Sequence, residues 1–170
     1  MAFQFSFLSP SVESVRGAEF DEFDPLEDED DYEYLVIRAC GVLRETDAKF
    51  HFGGFGHNDW KFDIGYDMST VLEQLPELIA ALRSEAPTQM ELYSQGVECT
   101  LSFRTEAEIV RVKCASHTSW TPEPAEEVCD RRQLLEMSAR LAIDFSQALD
   151  VWVPQIARLA PFVDWKRGNV

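Results

Sequence analysis

The chain has 170 residues, with 31 Asp or Glu against 15 Lys or Arg and a formal charge of -16. That balance argues against direct binding of nucleic acid or anionic lipid, which both call for a positive surface. Its 45% hydrophobic and 12% aromatic content suits one folded domain with a core, and no run reaches the roughly 18 apolar residues of a membrane-spanning helix.

Phe3, Phe5 and Phe7 alternate with Ala2, Gln4 and Ser6, the period of a half-buried strand. Ser9-Pro10-Ser11 ends it. Residues 11–33 follow as an acidic connecting segment, broken by Gly17 and Pro25. Within it, Glu19, Asp21, Glu22, Asp24, Glu27, Asp28, Glu29, Asp30, Asp31 and Glu33 place ten carboxylates in fifteen residues, with no Lys or Arg among them. Such a block repels itself, stays hydrated and attracts positive surfaces. Phe20, Phe23 and Leu26 interrupt the acids, so the segment either folds back on the domain or orders against a partner.

Residues 34–43 are rich in β-branched and aromatic side chains and read as a central strand, apolar on both faces. Lys49-Phe50-His51-Phe52 begins another strand, which Gly53-Gly54-Phe55-Gly56 ends or bulges. Trp60, Phe62 and Ile64 alternate with Lys61 and Asp63 as a further strand. Val71, Leu72, Leu75, Leu78, Ile79 and Leu82 then form one helical stripe, with Thr70 and Glu73 as a capping box. Pro76 predicts a kink or an irregular first turn.

Glu91-Leu92-Tyr93, then Val97 to Phe103, then Val110 to Cys114 read as an antiparallel meander with one apolar face. Residues 116–127 read as a linker. Asp130 is the predicted N-cap of a long C-terminal helical segment, 130–160, which Pro154 kinks or splits. Phe162 and Trp165 are placed to pin the C-terminus. The order of elements predicts a single α+β domain over 1–170: a twisted antiparallel sheet of about six strands with two helices packed on it.

No catalytic signature emerges. The chain has no GxSxG elbow, and the glycines at 53–56 do not follow phosphate-loop spacing. His51, His57, Asp59 and Asp63 are the one group of metal-ligand residue types close in sequence, and they offer an alternative reading as a metal- or ligand-binding domain or enzyme. Cys40, Cys99, Cys114 and Cys129 are widely spaced and read as buried free thiols of a reducing cytosol. The start of the chain lacks the pattern of a secretory signal. Another alternative is a subunit or adaptor whose last helix buries its stripe against another chain.

Three segments carry a family likeness: Asp30-Asp31-Tyr32-Glu33-Tyr34-Leu35-Val36-Ile37, then Asp67 with Val71-Leu72-Glu73-Gln74-Leu75, and Trp120-Thr121-Pro122. Over roughly residues 33–121 the chain resembles bacterial immunity proteins of contact-delivered toxin systems. The resemblance implies a cytosolic inhibitor without enzymatic activity or cofactor, bound to one cognate toxin. An acidic inhibitor would suit a basic cleft, with ring side chains supplying tightness. The expected partner-binding residues are Asp21, Glu22, Phe23, Asp24, Glu27, Asp28, Glu29, Asp30, Asp31, Tyr32, Tyr34 and Trp120.

Overall fold

A computed structural model of the chain describes residues 3–11, 13, 25–94 and 96–170. The fold is α+β. Strand β1 (Gln4–Leu8) pairs antiparallel with β2 (Lys49–Gly53), bringing Phe5 opposite Phe52 and Phe7 opposite Phe50. A separate meander holds β3 (Thr88–Leu92), β4 (Cys99–Glu106), β5 (Ile109–Ser116) and β6 (Glu126–Asp130) in sequential order. Among the described residues the six strands therefore form two sheets, not the one sheet expected, and β6 begins inside the predicted 116–127 linker.

Among the described residues three longer helices accompany them where two were expected: α1 (Tyr32–Leu43), α2 (Ser69–Ser84) and α3 (Arg131–Trp152). Two short helices, α4 (Pro154–Ala157) and α5 (Phe162–Trp165), finish the chain. Among the described residues no helix is long and apolar enough to cross a membrane. Helix α3 packs on β1, β6 and α2, while α2 packs on β3, so one continuous core joins both sheets to the helices.

The largest correction concerns residues 34–43, which form α1 and not a central strand. Leu35, Val36, Ala39, Cys40 and Leu43 are its buried residues. Their spacing is helical, and Ile37, which a strand would have buried, is exposed. The Asp31 side chain caps the helix by accepting from the Tyr34 amide at 3.0 Å. High β-propensity lost to a helical apolar period with a good cap.

The predicted strand through Trp60, Phe62 and Ile64 is an irregular extended segment. Lys61 takes a left-handed backbone, φ 58°, which interrupts strand geometry. Helical structure then starts early, with a π-helical turn at Ile64–Met68 that runs into α2. Asp63 is its cap and accepts from the Tyr66 amide at 2.8 Å. The Thr70–Glu73 capping box does not form, because Thr70 already lies inside the helix and donates to the Tyr66 carbonyl at 2.9 Å.

Pro76 sits within α2. It has no N–H to give the Leu72 carbonyl one turn back. The Tyr32 hydroxyl donates to that oxygen at 2.6 Å and completes its hydrogen bonding. Asp130 caps α3 as expected, accepting from the Gln133 amide at 2.9 Å. Pro154 does divide the last helical segment, between α3 and α4.

Candidate functional site

The described part of the acidic segment is ordered by its own side chains. One oxygen of Asp28 accepts from the amides of Asp30 at 3.0 Å and Asp31 at 3.2 Å. Asp31 caps α1, and the Tyr34 hydroxyl accepts from the Glu27 amide at 3.1 Å. These bonds wrap residues 27–34 around the N-terminal end of α1, where the helix dipole favours negative charge. Glu27, Asp28, Glu29, Asp30, Asp31 and Glu33 are all exposed there. The result is an acidic ridge on an ordered stretch of backbone. Asp21, Glu22, Phe23 and Asp24 lie outside the described residues, as does Phe20.

Glu73 of α2 extends the acidic surface, a place its expected role in a capping box did not suggest. Its carboxyl is pushed above the usual range, first by partial burial and then by the negative charge of Glu33. Asp67 in the π-helical turn is buried and likewise pushed up by desolvation. It accepts from the Asp63 amide at 2.8 Å, so its work is to shape the start of the helix.

The ring side chains assigned to partner contact part company. Tyr34 is half-buried beside the ridge, tied to Glu27. Tyr32 points inward, stacked on Phe162 and edge-on to Trp165, with centroids 5.9 Å away in each case. Burial raises its hydroxyl pKa. Tyr32→Phe keeps the rings in place but leaves the Leu72 carbonyl without its donor. We expect a loss of about 1–2 kcal/mol, read from urea unfolding, with the acidic ridge otherwise unchanged. Trp120 belongs to a different aromatic group. It packs edge-on to Trp60 at 5.2 Å and donates to His57 Nε2 at 3.0 Å.

That hydrogen bond separates the residues of the alternative metal reading. His57 turns to Trp120, while His51 approaches Asp59 only to 4.0 Å. Asp59 is engaged by Lys61, whose Nζ lies 2.5 Å away and whose hydrogen bonds hold the Asp59 carboxyl below its usual range. Among the described residues, no three His, Cys, Asp or Glu side chains are grouped to hold a metal ion.

The glycine-rich turn is occupied from within. Glu127, buried on β6, accepts from the Phe55 amide at 2.7 Å, and Trp60 Nε1 donates to the Gly54 carbonyl at 3.1 Å. Beside the helix start lies an open cleft of about 840 Å³, lined in part by Arg44, Lys49, Asp59, Lys61 and Tyr66. Its charges are mixed, and Arg44 and Lys61 are already paired with Glu45 and Asp59. The acidic ridge is therefore the surface of the most uniform chemistry among the described residues. No family model matches the chain, and no curated protein or solved structure matches it.

Proposed function

We propose that this protein is a small acidic binding module that acts by covering a basic surface on another protein. The resemblance to immunity proteins suggests the kind of partner: a cognate toxin domain with a positive cleft, neutralised in the cytosol by occlusion and without catalysis by this chain. One observation supports the reading above all. The backbone of residues 27–34 is pinned by Asp28, Asp31 and Tyr34 at a capped helix end with its carboxylates exposed, so little backbone ordering entropy remains to be lost when a partner arrives. Glu73, whose carboxyl is pushed up first by burial and then by the negative charge of Glu33, stands near that ridge, where a cation would ease the repulsion between the two.

The test is association with the product of a reading frame adjacent to this gene. For such a basic partner, the combined change Glu27→Gln, Glu29→Gln, Asp30→Asn and Glu33→Gln is expected to slow association by about 10- to 100-fold at low salt. Dissociation should change far less, and the wild-type rate should fall steeply with ionic strength. A neutralised variant that associates as fast as the wild type would remove this reading.

A further inference from the structure

Charge alone steers partners together; tightness needs a desolvated centre. Helix α1 offers one. It buries Leu35, Val36, Ala39, Cys40 and Leu43 and turns its opposite side to solvent. On that side Ile37 is 51% exposed. Gly41, one turn further on, is also exposed, and a Cβ built there finds nothing within 4 Å.

An exposed isoleucine alone is ordinary on a protein surface; Gly41 beside it is what does not suit a helix that faces only water. Glycine inside a helix weakens it relative to alanine through backbone entropy. The usual reasons to tolerate it are a left-handed φ or internal crowding. Gly41 has neither. Together, Ile37 and Gly41 make a ridge followed by a notch along an i, i+4 row, the relief into which a second helix packs at close range.

The surrounding charge selects the partner. Toward the N-terminus this side runs into exposed Asp30 and Glu33, backed by Asp28 and Glu29; the last turn of α1 carries no basic residue, and its C-cap Arg44 is paired with Glu45. Arg38, on the same helix, is already engaged within the molecule. A second copy of the chain would bring two identical ridges and two charges of -16 together.

We propose that the outer face of α1, centred on Ile37 and Gly41, docks a basic amphipathic helix of the partner protein. The proposal rests on the acidic-module reading and adds the apolar contact that gives the complex its lifetime.

The test titrates the isotope-labelled full chain with two synthetic peptides of equal length and charge. One is an amphipathic Leu/Lys helix, the other a Gly/Ser/Lys chain without an apolar face. The Leu/Lys helix is expected to bind at least about tenfold more tightly and to shift the amides of residues 34–41. Ile37→Asp adds negative charge, which by itself favours a cationic peptide. It should nevertheless weaken the Leu/Lys helix by about tenfold or more, because the apolar contact is lost. Gly41→Ala should raise Tm by about 2–4 °C yet weaken binding severalfold.

Equal binding by the wild type and both variants would overturn the docking face and leave the acidic reading standing. Binding of neither peptide at low salt would remove the acidic reading itself. Two further results would also overturn the proposal. One is protection of Ile37 in the free monomer, which would mean cover from within the chain. The other is a dimer in sedimentation that Ile37→Asp dissolves, which would make a second copy the occupant.

Discussion

Phe52→Ala is expected to destabilise the protein by about 4 kcal/mol, the largest effect anticipated for any single substitution considered. The Phe52 ring is fully buried. It stacks on Phe5 at 5.9 Å and meets Phe3 at 5.4 Å, Trp60 at 5.2 Å and Phe62 at 4.9 Å. Those rings come from β1 and the residue before it and from the extended segment after the glycine turn, so together with β2 itself one truncation loosens three stretches of chain. The cavity would be walled by stiff aromatic side chains that cannot easily collapse into it. A domain of this size is only about 5–15 kcal/mol stable, so the loss is a large share of the total. In urea the midpoint should fall by about 2 M. Leu8→Ala, at a side chain 64% exposed, is the control and should stay within about 0.5 kcal/mol. A Phe52→Ala midpoint close to that of the control would show that the ring cluster does not organise the core.

Gly56→Ala is expected to cost about 3 kcal/mol, from two sources that can be separated. Gly56 has φ +88°, and an added Cβ would lie 2.2 Å from the Glu123 carbonyl oxygen. Gly96 has nearly the same backbone, φ +87°, but a Cβ there meets nothing within 4 Å. Gly96→Ala thus reports left-handed strain alone, about 1–2 kcal/mol. The excess at Gly56 is the backbone collision. It matters because Glu123 also donates its amide to the Phe55 carbonyl at 3.2 Å, which ties the glycine turn to the approach to β6. Equal losses at the two glycines, measured by denaturant unfolding, would mean that the turn can move away from Glu123. This close packing also accounts for the glycine-rich run in structural terms: its inward amide is taken by Glu127 and its outer edge by Glu123.

Strong, regular patterns were legible in the sequence. The Phe3–Phe5–Phe7 alternation became β1, and the alternating runs after Val97 became β4 and β5 with their apolar side inward. The stripe from Val71 to Leu82 became the buried side of α2, and Asp130 capped α3. Each rests on a period repeated over several residues, or on a polar side chain acting within its own turn, so distant neighbours have little power to change it.

The misread segments were short or decided from afar. Residues 34–43 form an apolar run of the length at which helix and strand compete, and their β-branched content outweighed a helical spacing that was already present. Propensity could not reveal that Ile37 and Gly41 face outward, which is why the candidate docking face emerged only with the fold. Glu73 gave no local sign of joining the ridge, because the like charge beside it, Glu33, lies on another helix.

By itself the sequence determined the α+β composition, the anionic character and where its densest carboxylates stand, because charge and periodicity are properties of neighbours along the chain. Tertiary structure alone decided what each aromatic among those acids does. Tyr32 has carboxylates on both sides in sequence, yet it lies against Phe162 and Trp165 and serves the Leu72 carbonyl that Pro76 leaves without a donor. The physical reason is that an unsatisfied buried carbonyl is costly, and the group that satisfies it can come from any distance along the chain.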